Sequence, residues 1–179
     1  MGVFQIIPDH VHLDDSLELA REYGLGFEFN DFFTPNVLND EKRCDEIVAK
    51  YKDIKVPGPL TNHGDFFDVL VFSEDEEIRK TGVKRIRQSI RISERLGAVG
   101  TVFHSNICPQ LYLPRYIDNW VDRNEECWRS ICDEFPDQQI WPCRIDIGKC
   151  LPDPEDDAVY PRLDFRSYHR QTHRRIRHG

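Results

Sequence analysis

Val99-Gly100-Thr101-Val102-Phe103-His104-Ser105-Asn106 is the stretch on which the fold of this 179-residue chain turns. The run is short, apolar and β-branched, so it reads as a buried strand, and it delivers a histidine where the apolar pattern stops. Just upstream, residues 73–96 carry the marks of a helix: Ser73 with Glu76 three residues on makes a capping box, and Gly97 follows as a left-handed terminator. A helix laid directly before such a strand is the second half of a strand-helix-strand unit. The first half is Leu60-Thr61-Asn62-His63-Gly64, a second short strand ending on a histidine. It lies about 40 residues earlier, the interval one such unit needs with its loops. Two successive parallel strands would set His63 and His104 on one rim.

Outward from this unit the alternation continues. Residues 3–7 form a first strand that ends at Pro8-Asp9-His10. Asp14 and Asp15 can cap a helix with apolar positions Leu17, Ala20 and Tyr23, stopped by Gly24 and Gly26. Residues 26–31 read as a second strand with Glu28 inside an apolar run, where a carboxylate must face something polar. Asn39 and Asp40 open a helix whose stripe is Cys44, Ile47, Val48 and Tyr51, and Pro57-Gly58-Pro59 breaks the chain before the strand to His63. The basic residues of the 73–96 helix, Arg79, Lys80, Lys84, Arg85, Arg87 and Arg91, are expected on a solvated outer face. A further helix over residues 115–135 carries Ile117, Trp120, Val121, Trp128 and Ile131 on one side, and residues 138–141 make a fifth strand.

This order predicts an α/β fold. It is either part of a (β/α)8 TIM barrel, about four βα units plus a fifth strand, or a doubly wound open sheet. No glycine-rich phosphate loop follows the first strand, which disfavours the nucleotide-binding form of the open sheet. At Pro142 the periodicity ends, and residues 142–179 are expected to form an irregular, poorly ordered tail.

Composition narrows the function classes. Apolar residues at 39% and a mean hydropathy of -0.59 describe a globular chain, and no run approaches the roughly 20 apolar residues of a membrane span. The N-terminus lacks the basic and apolar regions of a signal peptide, so a cytoplasmic protein is expected. A net charge of -8 argues against nucleic-acid binding. That balance is uneven: residues 1–140 hold 26 acidic and 16 basic side chains, whereas 141–179 hold 6 and 8. The cysteines at 44, 108, 127, 132, 143 and 150 show no zinc-knuckle spacing and read as free thiols, with Cys44, Cys127 and Cys132 as small core residues.

Residues 28–33 (Glu-Phe-Asn-Asp-Phe-Phe), 61–67 (Thr-Asn-His-Gly-Asp-Phe-Phe), the helix around 85–96, residues 102–106 (Val-Phe-His-Ser-Asn) and 119–124 together resemble the xylose isomerase-like TIM-barrel family. That family holds sugar and sugar-phosphate isomerases and epimerases and the related apurinic endonucleases. The resemblance spans roughly residues 3–141. It implies a divalent metal (Zn, Mn, Mg or Co) at the carboxyl rim of a barrel, with a sugar or sugar phosphate held over it. His63 and His104 match histidines that serve the family as metal ligands or line its substrate site, and Glu28 matches an acidic position on strand two. Where the family next has a Glu-Asn pair on strand five, this chain has Trp141-Pro142-Cys143-Arg144. The resemblance therefore implies an isomerase or epimerase-like chain that is truncated and inactive as it stands, a frameshift product or gene fragment. The alternatives are an apurinic endonuclease-like phosphodiesterase fragment and a non-catalytic half-barrel that self-associates through open sheet edges.

Each candidate has a plainer reading beside it. His63 and His104 could be strand-end histidines satisfied by hydrogen bonds, and two imidazoles fall short of the three or four protein ligands a stable site needs. Glu28 is either a catalytic group or a carboxylate paired to a basic neighbour. Asp65 and Asp68 fit loop-capping better than ligation. His10 and His12 can reach the same rim but are expected in solvent. His169 and His173 imitate a helical ligand pair within an irregular segment, and the basic residues of 170–177 read as a compositional feature rather than a binding surface.

Overall fold

The computed structural model describes residues 4–9, 11–106 and 113–143. His10, His169, His173, the basic run of 170–177 and the remainder of the expected tail from 144 onward lie outside the described residues. Five strands alternate with helices: β1 (Gln5–Ile6), α1 (Leu13–Tyr23), β2 (Gly26–Phe29), α2 (Pro35–Leu38), α3 (Glu41–Tyr51), β3 (Leu60–His63), α4 (Glu76–Arg95), β4 (Gly100–His104), α5 (Pro114–Glu134) and β5 (Gln139–Cys143).

All neighbouring strands pair in parallel, in the sequential order β1-β2-β3-β4-β5. A doubly wound sheet reverses its order and puts helices on both faces; this sheet does neither. Register sets Phe29, Asn62 and Thr101 on one face, with Phe27 and Phe103 two residues either side. That face is covered throughout. Phe27 and Phe29 pack with Ala20 of α1, Cys44 and Tyr51 of α3, and Ile92 and Leu96 of α4. Phe103 packs with Ile86 and Ile90 of α4 and with Trp120, Trp128 and Ile131 of α5. Every long helix thus lies on the same side, as right-handed crossovers in a singly wound, barrel-type sheet require. The opposite face carries Gln5, Glu28, Thr61, His63, Val102 and His104.

Several sequence expectations are corrected here. The helix expected from residue 73 starts at Glu76, because Asp75 rather than Ser73 accepts from the free N–H groups of Glu77 and Ile78; Ser73 Oγ instead accepts from Asp75 N. Gly97 does take the left-handed conformation, φ +66°. Arg85 is not on the solvated face: it is buried, and its Nη1 donates to Asn39 Oδ1 at 2.8 Å and Gln88 Oε1 at 2.9 Å. Tyr23 is exposed, so α1 turns only Leu17 and Ala20 of the expected stripe to the core. Of the three described cysteines, Cys44 is buried and Cys127 packs against the core, but Cys132 faces out. Strand β5 runs two residues beyond Trp141, with Pro142 opposite Phe103. As an edge strand among the described residues, it can hold a residue with no N–H to donate. No helix among the described residues is long and apolar enough to cross a membrane.

Candidate functional site

Strands β3 and β4 end on their histidines, and the register brings the two rings together. His63 sits opposite Val102, so His104 stands one rung further along on the same uncovered face. The separation between His63 Nε2 and His104 Nε2 is 3.0 Å, with ring centroids 4.8 Å apart. Tautomers follow from the partners. The carbonyl of Gly64 can only accept, so His63 Nδ1, 2.9 Å away, carries the proton and its Nε2 is a bare lone pair. His104 must then donate from Nε2, which leaves its buried Nδ1 as a lone pair with no hydrogen-bond partner among the described residues. Burial, with His63 beside it, lowers the His104 pKa to about 4, so the ring is neutral near pH 7.

The loop after β3 holds this pair from above. Asp65 N donates to Ser89 Oγ on α4 at 3.0 Å, and Asp65 Oδ1 accepts from Asp68 N at 2.8 Å, so Asp65 is the loop-capping residue expected. Its burial pushes its carboxyl pKa upward. The turn presents Phe66, whose ring lies nearly parallel to His63 (20°, 5.5 Å) and edge-on to His104 (4.3 Å). Three successive loops are cross-braced at this residue. Phe66 N donates to Phe33 O at 3.2 Å, Phe66 O accepts from Asn106 Nδ2 at 3.2 Å, and Asn106 O accepts from Trp120 Nε1 at 2.8 Å. Sequence reasoning placed aromatics in this loop but did not find the clamp, because contact with both imidazoles depends on a turn that no periodicity encodes.

Glu28 shares the uncovered face, one rung before His63, opposite Thr61. It is half-buried and is not hydrogen-bonded to either histidine. Neither the basic partner of the plainer reading nor direct contact with the pair is present among the described residues. Gln5 fills the start of this face, its Nε2 donating to Thr61 Oγ1 at 2.9 Å. His12 is exposed, as expected, but not idle: its Nδ1 pairs with Asp9 Oδ2 at 2.9 Å, which raises the His12 pKa and lowers that of Asp9.

The fit to a divalent metal can be tested on the pair. Two imidazole nitrogens on a tetrahedral ion at Zn–N distances of about 2.0–2.1 Å stand roughly 3.3 Å apart. The observed 3.0 Å is close to that, and the Gly64 carbonyl orients His63 as an outer-shell partner would. A third donor is lacking: among the described residues no group of three or more His, Cys, Asp or Glu could hold a metal. The pair therefore fits two corners of a site and not a closed one.

No protein-family model matches the chain, and no curated protein matches it. Solved structures do. A D-tagatose 3-epimerase-like protein superposes with a TM-score of 0.55 at 22% identity, covering 78% of this chain and 51% of that one. The 3-keto-D-glucoside 4-epimerase YcjR of E. coli, in its apo form, gives 0.53 at 19% identity, covering 78% and 54%. The chain spans about half the length of these structures. The likeness carries the fold: five parallel strands and their helices arranged as in the TIM barrels of these structures.

Proposed function

We propose that this chain is of the sugar or sugar-phosphate isomerase and epimerase type, with His63 and His104 as the residues that hold either a divalent metal or the oxygens of a sugar. The observation that carries the reading is the 3.0 Å approach of the two Nε2 atoms at the carboxyl ends of adjacent parallel strands. That rim is where barrel enzymes place their chemistry. A bound Zn, Mn, Mg or Co ion would polarise vicinal sugar oxygens. The chain's own part is separate from that. The two Nε2 atoms would exchange their mutual hydrogen bond for bonds to hydroxyl groups, Phe66 keeps water off the upper side of the pair, and Glu28 is the carboxylate on the same face able to move a proton beside a carbonyl. The sugar-epimerase neighbours support a small-molecule substrate, and the acidic balance of residues 1–140 weighs against the endonuclease-like alternative. We place it in the cytoplasm, with free thiols.

With two nitrogen donors and no third among the described residues, the affinity for metal is weak and the chain turns over no sugar by itself. Calorimetry with Zn and Mn tests the site: binding weaker than micromolar, lost in both His63→Ala and His104→Ala, is expected. Metal binding that neither substitution touches would remove the assignment. Assays with a panel of ketoses and sugar phosphates test the rest, since metal-dependent turnover abolished by His63→Ala would keep the isomerase reading and overturn the inactivity.

A second reading has its own support. Among the described residues neither outer edge, β1 nor β5, is paired to a further strand, and unpaired parallel edges recruit partners. A non-catalytic half-barrel that self-associates through them would elute above monomer mass on size-exclusion chromatography; a monodisperse monomer sinks it.

A further inference from the structure

Phe66 is one member of a row. Its ring lies 4.7 Å from Phe67 and 6.5 Å from Phe33, centroid to centroid, and the row flanks the histidine pair. Phe67 is 65% exposed, with no core contact to account for its place beside a polar pair. The second observation is electrostatic. The described residues that follow β1 to β4, 7–9 with 11–12, 30–34, 64–75 and 105–106, contain Asp9, Asp31, Asp65, Asp68, Glu74 and Asp75, and no Lys or Arg. The N-termini of α1, α3 and α4, the other usual anion sites, are taken by the chain's own carboxylates, whereas the first turn of α5 holds no acidic residue. Asp14 and Asp15 fill the first turn of α1, Asp40 caps α3, and Asp75 caps α4 ahead of Glu76 and Glu77. Arg79 Nη1 donates to the carbonyls of Ser73 and Glu74, and Arg115 stands alone in the first turn of α5.

Building on the isomerase reading, we infer that this half of the site takes a neutral, unphosphorylated sugar ring, its C–H face laid on Phe67 and Phe66 and its hydroxyl edge turned to His63 and His104. An aromatic face next to hydrogen-bonding imidazoles matches a molecule that is apolar on one side and polar on its rim. A phosphate ester would meet carboxylates in the segments after β1, β2 and β3 and no Lys or Arg there.

The test uses the full chain and saturation-transfer NMR with D-fructose, D-fructose 6-phosphate and inorganic phosphate. The free sugar is expected to receive saturation at its ring C–H protons, with the phosphate ester no tighter and inorganic phosphate silent. Phe67→Ala removes an exposed ring without opening the core and should weaken the sugar by about 2- to 10-fold, the range of one aromatic contact. Unchanged binding in that variant overturns the shelf. If the ester binds tenfold tighter than the sugar and Arg115→Ala removes the gain, the inference fails while the isomerase reading stands. If neither the sugar nor its ester binds, the isomerase reading falls and takes the inference with it.

Discussion

Phe27, Phe29 and Phe103 on one face of the sheet are fully buried beneath helices, whereas Glu28, His63 and His104, alternating with them along the same strands, face away from every helix. Neighbours in sequence thus belong to different problems. A singly wound sheet with helices on one side only assigns packing to one set of alternate residues and chemistry to the other. The covered face is largely apolar because it must exclude water; of its polar residues Asn62 and Thr101, Asn62 is held by its Nδ2 donating to Ser89 O. The uncovered face can afford imidazoles and a carboxylate because no helix seals it.

Adjacent residues give the sharpest way to break this contrast. Phe103→Ala empties a site walled by Trp128 and α4 and should cost about 3–5 kcal/mol, with Trp128→Ala in the same range. His104→Ala, one residue on, should cost under about 1 kcal/mol, the net worth of one hydrogen bond. Urea unfolding of the three variants checks it. Equal losses at 103 and 104 would mean that both faces are packed alike.

The contrast also explains what could be read without a structure. The covered face was legible because burial repeats with the period of its elements: Cys44 and Tyr51, or Trp120, Val121, Trp128 and Ile131, stand where 3.6-residue spacing puts them. So were the two strand-end histidines and their shared rim. Where a local partner overrides the pattern, reading failed. Arg85 is buried because Asn39 and Gln88 happen to meet its guanidinium, and α2 is one turn, too short for any period to register. The hydrogen-bonded pairing of the imidazoles and the Phe66 clamp rest on the Asp65 turn and on atoms forty residues apart. Neither leaves a spacing signal.

Gly64 joins the faces, and substituting it sharpens the comparison. A Cβ there would lie 2.2 Å from Cε1 of the fully buried Phe103 ring, which has nowhere to go. Gly64→Ala should therefore cost about 1–3 kcal/mol through overpacking on the covered side. It should also disturb the uncovered side, because the Gly64 carbonyl fixes the His63 tautomer. Thermal unfolding together with imidazole nitrogen shifts reads both effects. A stability loss with unchanged shifts would show that the two faces are uncoupled.

The smallest effect expected is the dependence of stability on pH, and it belongs to the uncovered face. His104 has a folded pKa of about 4 against an ordinary 6.5, lowered by burial and then by His63. Between these values the unfolded chain binds a proton at this position that the folded chain does not, so stability rises with pH across the window. Its contribution is fully present above about pH 6.5 and is lost as pH falls toward 4. The ring is only half-buried, so solvent screening holds the effect to the order of 1 kcal/mol. Urea midpoints at pH 7.5 and 5.0 with a chelator present, in the parent chain and in His104→Gln, isolate it. The parent should lose more on acidification than the variant, whose amide does not titrate. Identical losses would mean that His104 is solvated in the folded chain rather than held against His63 as the proposed site requires.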